Sequence, residues 1–145
     1  MSDDQNFRNA YLVLAHEDVD MLNLLAKRLI NTGYVYIHLD LKCSIKIEQV
    51  ISHPKVKVSK KIKVNWGGFS IVEATRFLAD QALADESDRL TLLSGLSFPI
   101  ASDEKLLSFA QSSRKLIGTW IVDFNMASNT FKKRFTTRHF SFPLG

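Results

Sequence analysis

An apolar run, an amphipathic segment and a second apolar run follow one another within the first forty residues, and this order constrains the fold most. Ala10 to Ala15 reads AYLVLA, a continuous apolar run typical of a strand buried on both faces of a parallel sheet. Asp18 can cap the helix that the next apolar spacing predicts, and Gly33 stands where a terminating glycine is expected. Tyr34 to Leu39 (YVYIHL) forms the second strand. A β-α-β unit of this kind lays its two strands parallel.

The same alternation of strands and helices continues along the chain. After the second strand, the pattern predicts a short helix over Ser44–His53 and a short exposed strand within Val56–Val64. A helix over Ile71–Leu83, with a Ser70/Glu73 capping box, and a buried strand over Arg89–Ser94 follow. The last predicted elements are a helix from the Ser102 cap to Gln111, a strand over Leu116–Phe124, and a strand or loop over Phe131–Phe142. We therefore predict a three-layer, Rossmann-like α/β domain. Its mostly parallel sheet carries helices on both faces, and residues 1–145 form one domain.

Composition sets the class of protein. The 145 residues, 46% of them hydrophobic, supply one sizeable core. A single cysteine, Cys43, excludes an internal disulfide, and no run reaches the roughly 18 apolar residues that span a bilayer. The net charge of +4 is mild, and no nucleic-acid partner is expected. Lysines within Lys55–Lys63 and basic residues within Lys132–Arg138 either meet an anion or guard a solvated edge strand.

Polar residues and glycines concentrate where the predicted strands end, and ligands of open parallel sheets bind at that edge. The candidate binding residues are Ala15, His16, Asp40, Trp66, Gly67, Gly68, Ser94, Gly95 and Ser97. Two glycines before a helix let a phosphate approach backbone N–H groups, and a tryptophan can stack on a sugar or base. An acid at a strand end can accept hydrogen bonds from ribose hydroxyls or a base edge.

Each of these features also has a purely structural interpretation. The glycine pair can form a tight turn beside a buried Trp66, and Asp40 can turn the chain. His38 points to the same side of its strand as Asp40, and it can equally be a hydrogen-bonded core histidine. His16 can act as a base or a phosphate donor, or serve structure alone.

No metal site is expected. Asp18-Val19-Asp20 spells D-x-D, but Asp18 is needed as a helix cap and the helical turn would separate the two carboxylates. Ser94-Gly95-Leu96-Ser97 stands after the fourth strand without a carboxylate pair, so hard divalent cations find poor ligands there. No spacing of cysteine and histidine resembles a zinc site.

Four segments together resemble the core-2/I-branching β-1,6-N-acetylglucosaminyltransferase family, to which peptide O-xylosyltransferases are also similar. In order they are Ala10–His16, Tyr36–Asp40, Val64–Ser70 and Leu92–Ile100. The resemblance implies a GT-A-type fold and an inverting, metal-independent transfer of N-acetylglucosamine or a related sugar from a UDP-sugar to a glycan acceptor. It also implies a bacterial enzyme of polysaccharide synthesis, cytoplasmic and peripheral at the inner membrane face. Ser97 departs from the aspartate usual in this family, which weakens a donor-sugar contact at that position.

The family's catalytic glutamate and basic diphosphate-binding residues lie in a later half that this chain does not match, so the catalytic base is unassigned. We therefore expect the N-terminal part of a longer glycosyltransferase. The alternative is a non-catalytic α/β binding module that self-associates through the apolar tail from Phe135 to Leu144.

Overall fold

The computed structural model describes residues 7–65 and 67–112, in which seven helices and strands alternate along the chain. They are β1 (Asn9–Ala15), α1 (Val19–Leu29), β2 (Tyr34–Leu39), β3 (Val56–Ser59), α2 (Ser70–Ala84), β4 (Arg89–Ser94) and α3 (Asp103–Gln111). One 3-10 turn, Ile47–Gln49, lies between β2 and β3.

The four described strands form one parallel sheet in the order β3-β2-β1-β4. The chain winds from β1 outward through β2 to β3, and then returns to place β4 on the other side of β1. The direction of winding therefore reverses beside β1, which makes its carboxyl end a topological switch point. Leu14 near that end lies between His38 of β2 and Ser94 of β4.

Helices cover both faces of the sheet, as the three-layer prediction requires. On one face, the fully buried Leu22 and Leu25 of α1 pack against Val13 and Ile37 of the sheet. On the other face, Leu78 and Ala82 of α2 pack with Leu12 and Tyr36. The predicted α/β fold is confirmed, and its two apolar layers hold the strand ends in fixed register.

Two predicted helix starts are confirmed and one predicted helix end is wrong. The Asp18 carboxylate accepts the Met21 N–H at 2.9 Å, and the Ser102 hydroxyl accepts the Lys105 N–H at 3.4 Å. Helix α1 already ends at Leu29, so Gly33 is not its terminating residue. A Cβ on Gly33 would lie 2.6 Å from the Asn9 carbonyl oxygen, and this close approach to β1 is why glycine stands there.

The Ser70/Glu73 capping box predicted for α2 is also wrong. Phe69 occupies the cap position and no side chain caps the helix. Ser70 is instead the first helical residue, and its hydroxyl accepts the Asn65 N–H at 2.7 Å. The hydroxyl therefore closes the preceding loop rather than the helix end.

The predicted helix over Ser44–His53 is reduced to the single 3-10 turn. Side chains outside the segment satisfy its backbone groups without a helical ladder. The Asn23 amide donates to the Gln49 carbonyl at 2.8 Å and accepts the Ile51 N–H at 2.9 Å. The Lys60 ammonium donates to the carbonyls of Cys43 and Ile45.

The two edge strands of the described sheet, β3 and β4, differ from their predicted burial. β3 is the short strand that was predicted, but it is only partly exposed, since Lys57 is exposed, Val56 and Val58 are half-buried and Ser59 is buried. β4, predicted as buried, is only partly so, because Leu92 is 51% exposed at the edge of the described sheet. The predictions for Leu116–Phe124, Phe131–Phe142, the second basic cluster and the apolar tail fall outside the described residues. That residues 1–145 form one domain stays a prediction.

Candidate functional site

A cavity of about 580 Å³ lies where β1, β2 and β4 end, at the switch point of the sheet. Its apolar lining comes from Leu14, Val64, Ile71, Leu92 and Leu93. Its polar lining comes from His16, His38, Asp40, Lys42 and Ser94, with Ala15 between the two sets. A volume of this size, mostly apolar with a few converging polar groups, is typical of small-molecule sites.

The floor of the cavity is set by the register of the sheet. Leu14 is the register partner of both His38 and Ser94, and partners in parallel strands present their side chains to the same face. Leu14 packs with the core under α2, so this is the α2 face. Ile71 in the first turn of α2 then closes the cavity from above.

Asp40 directly follows β2, and one oxygen of its carboxylate accepts hydrogen bonds from backbone N–H groups. Its Oδ1 accepts the N–H of Lys42 at 3.0 Å and that of Val64 at 3.1 Å. Its own N–H donates to the Ala15 carbonyl at 2.9 Å, which joins the two strand ends. Its Oδ2 lies 3.9 Å from the Lys42 ammonium, beyond hydrogen-bond distance. That second oxygen therefore accepts no hydrogen bond from the described residues.

His38 is buried, 1% exposed, and its Nε2 accepts the Ile62 N–H at 3.1 Å. Burial lowers the pKa of His38, and the negative charge of Asp40 opposes this shift less strongly. The imidazole is therefore neutral at pH 7, with its proton on Nδ1. Nδ1 is buried without a partner among the described residues. Only Nε2 of His38 is therefore hydrogen-bonded, as expected for a core histidine, while Nδ1 has no partner among the described residues.

Val64 of the segment 61–65 forms part of one wall of the cavity, and three backbone groups of this segment form hydrogen bonds with residues at the end of β2. The Ile62 N–H binds His38, the Val64 N–H binds Asp40, and the Ile62 carbonyl accepts the Leu41 N–H at 3.1 Å. Two of these three bonds are accepted by side chains, those of His38 in β2 and Asp40 directly after it. The position of this wall consequently depends on residues that themselves line the cavity.

The glycine loop follows this wall and leads into α2. The Gly68 N–H donates to the Asn65 carbonyl at 2.9 Å, which closes a turn. Gly67 has a φ of 74°, a left-handed conformation that glycine adopts at little cost. Neither glycine is among the described residues that line the cavity. The loop shows the tight turn that the sequence allowed, and Trp66 lies outside the described residues.

In a comparison with protein families, residues 9–141 match the family described as Branch, Core-2/I-Branching enzyme. The chain belongs to the core-2/I-branching enzyme family. The resemblance carried by its four sequence segments is thereby confirmed. Membership makes it part of a family of glycosyltransferases, which use a sugar donor and a glycan acceptor. Comparison with curated proteins and with solved structures found no match.

The fold brings four of the predicted site residues together in the cavity: Ala15, His16, Asp40 and Ser94. His16 is 61% exposed and lies 3.3 Å from Glu17. Gly95 and Ser97 are outside the described lining and have structural roles. The Ser97 N–H closes a turn on the Ser94 carbonyl at 3.0 Å.

Gly95 lets the end of β4 approach β1. Its N–H donates to the Leu14 carbonyl at 2.8 Å. A Cβ at this position would lie 2.7 Å from the Ala15 Cβ. The glycine therefore shapes the floor of the cavity through backbone packing.

Several residues that line the cavity were not predicted from sequence, namely Leu14, Lys42, Val64, Ile71, Leu92 and Leu93. Lys42 follows Asp40 by two residues, and its charge beside a strand-end acid was the one available signal. Val64 and Ile71 are distant in sequence from the strand ends, and only the fold of the intervening loop brings them to the cavity.

Two kinds of feature, a metal-binding cluster and a membrane-spanning helix, are absent from the part of the chain that the structure describes. Within residues 7–65 and 67–112, no three histidine, cysteine or carboxylate side chains cluster as a metal site requires. No helix in the same two ranges has the length and apolar character needed to cross a membrane.

Proposed function

We propose that the cavity at the ends of β1, β2 and β4 binds the UDP moiety of a nucleotide-sugar. The protein then transfers N-acetylglucosamine or a related sugar to a glycan acceptor, with inversion and without a metal ion. The observation that supports this most is the Asp40 carboxylate, which faces an apolar cavity at the switch point with one oxygen still available. Family membership supports the transfer of a sugar in general.

The lining suggests how the donor lies. The apolar side chains of Leu14 and Leu92 suit the faces of a base and ribose, while Asp40 Oδ2 can accept a base N–H or a ribose hydroxyl. The sugar and diphosphate then extend toward Ser94 and the start of α2. In this orientation the reacting carbon lies near the loops and away from the buried floor.

The proposed reaction needs two groups besides the donor pocket. The acceptor oxygen forms its bond to the anomeric carbon while the bond from that carbon to the diphosphate oxygen breaks. UDP leaves with the electron pair, and the acceptor proton passes to a general base. Positive groups must stabilise the charge on the leaving UDP. We assign no general base among the described residues.

Titration of the 145-residue chain with UDP, followed by NMR, tests the donor site. Asp40→Asn is the informative variant, because an asparagine Oδ1 can still accept the N–H groups of Lys42 and Val64. The variant replaces Oδ2 with a donor, and the loss of a hydrogen bond to a charged acceptor is expected to weaken UDP binding by about tenfold or more. Asp80→Asn, in an exposed pair with Arg76, is the matched control and is expected to bind as wild type.

Two results would overturn the proposal. One is the absence of any chemical-shift change at Asp40 and Ser94, which line the cavity, at millimolar UDP. The other is equal binding by Asp40→Asn and wild type. Either result favours the alternative, a non-catalytic α/β module.

A further inference from the structure

Segment 61–65 is held against the end of β2 by acceptors that belong to two different side chains. Nε2 of His38 accepts the Ile62 N–H at 3.1 Å, and Oδ1 of Asp40 accepts the Val64 N–H at 3.1 Å. His38 is fixed within β2, which pairs with a strand on each side. Ile62 is only half-buried, and the lysines on either side of it are exposed. If the bond between His38 and Ile62 breaks, the segment is therefore the part that can move.

The bond to Ile62 requires an unprotonated ring nitrogen on His38. A protonated imidazole carries an N–H on both nitrogens and has no acceptor left. Protonation would therefore set the Nε2–H of His38 against the Ile62 N–H, in a site where the imidazole is 1% exposed. Rotating the ring would only bring the second donor to the same place. Two buried donors without acceptors are unfavourable, so the protonated form favours a structure in which Ile62 has moved away.

Few charged or titratable groups approach His38. Its register partners in β1 and β3, Leu14 and Ser59, are uncharged, and α2 presents the ring of Phe77, edge-on at 6.2 Å between ring centroids. Burial lowers the pKa of His38, and the charge of Asp40 opposes this less strongly. The other charged or titratable groups of the described lining, β3, segment 61–65 and α2 are exposed, including His16, Lys42, Lys57, Lys61, Lys63 and Glu73.

We propose that His38 is a positioning residue that makes the cavity sensitive to pH: its protonation releases segment 61–65 from β2, and a ligand in the cavity holds the segment in place. The identity of that ligand rests on the proposed function. Val64 lines the cavity, so release of the segment removes part of the wall. The attached form requires a neutral His38 and the released form does not. Acid therefore shifts the population toward the released form.

Amide hydrogen exchange of the ligand-free 145-residue chain, followed by NMR, tests the release. Protection factors, which remove the intrinsic pH dependence of exchange, are compared for Ile62 and for Val13 in the buried core. Ile62 should be less protected than Val13 throughout, because the segment opens without unfolding of the sheet. Between about pH 7.5 and pH 5.5, its protection should fall by several-fold, up to about tenfold, as expected for one histidine that titrates near 6.5 when released.

Two variants show whether His38 is the cause. His38→Gln places a non-titrating acceptor near Ile62, so its Ile62 protection should stay within about twofold over the same pH range. His53→Gln is the matched control, because His53 also accepts a backbone N–H, that of Lys55 at 3.1 Å, and is not among the described residues that line the cavity. Ile62 in this control should respond to pH as in wild type.

UDP then tests the link between the segment and the cavity. At ten times its Kd, UDP should raise the protection of Ile62 in wild type by about tenfold, because it binds the form in which the segment is attached. If UDP binds and leaves Ile62 protection unchanged, this link is overturned. If UDP does not bind, the proposed function fails, while the ligand-free exchange still decides whether His38 controls the segment.

Three results of the ligand-free exchange would overturn the role of His38. The first is equal protection of Ile62 and Val13 in wild type, since the segment would then open only with the whole domain. The second is an Ile62 protection that does not change with pH, and these two wild-type results decide the matter even if a variant fails to fold. The third is a fall in His38→Gln as large as in wild type, or the loss of the fall in His53→Gln.

Discussion

Replacing His38 by glutamine is expected to remove a pH-dependent part of the stability of this domain. His38 is 1% exposed, and the N–H of Ile62 occupies its Nε2, so the folded protein holds the imidazole neutral. Burial lowers its pKa in the folded state below the ordinary value of about 6.5. Glutamine can place an acceptor near the position of Nε2 without titrating.

The sign and size of the effect follow from proton binding. Between the folded and unfolded pKa values of His38, the unfolded chain binds more protons, so the free energy of unfolding falls as pH falls. The stabilisation is fully present above about pH 6.5 and is lost below it, with a limiting slope of about 1.4 kcal/mol per pH unit. The loss ends once pH passes the lowered pKa in the folded state.

Urea unfolding followed by circular dichroism, between about pH 5 and pH 8, measures this directly. Subtracting the Gln variant from wild type isolates the contribution of His38 from those of the other titrating groups. Parallel stability curves for wild type and His38→Gln would refute the assignment of a neutral, desolvated imidazole.

Two further variants test how the cavity is framed. Gly95→Ala should lower the free energy of unfolding by about 1–3 kcal/mol, because its Cβ would lie 2.7 Å from the Ala15 Cβ; an unchanged urea midpoint would contradict this close approach. Asp18→Ala should cost about 1 kcal/mol through loss of the cap on Met21, whereas Asp18→Asn should cost only a few tenths, since asparagine also caps and tolerates the φ of 55°. Equal losses in the two Asp18 variants, measured by the same urea unfolding, would argue against a capping role.

The strands and their faces could be predicted because local pattern and tertiary environment agree. The run AYLVLA is apolar at every position, and β1 lies between two strands with helices on both faces. The rule that ligands bind at the carboxyl edge then directed attention to Ala15, His16, Asp40 and Ser94. These four residues lie within or directly after strands whose ends were predicted to within a residue.

Two errors in the predicted helices arise where a hydrogen bond to another segment replaces the local bond that the sequence pattern predicts. Ser70 matched a capping box in sequence, but the Asn65 N–H takes its hydroxyl. The segment Ser44–His53 had a helical pattern, but Asn23 and Lys60 satisfy its polar backbone from other parts of the chain. Lys42 and Val64 were missed for a related reason, since their place in the cavity depends on how the loop folds back over β2.

Because no side chain caps α2, a bound ligand could stabilise the N-terminus of this helix. The serine that would have capped the helix accepts the Asn65 N–H instead, so no side chain caps the N-terminus of α2, whose first turn holds Glu73 and contributes Ile71 to the cavity lining. A bound diphosphate would complete that helix end, and the nucleotide would then serve as the final piece of local structure as well as the substrate. Binding and folding would share one free-energy term: ligand at a hundredfold excess over its Kd adds about 2.7 kcal/mol to the free energy of unfolding. A rise in melting temperature would thus rank candidate nucleotides before any acceptor is known.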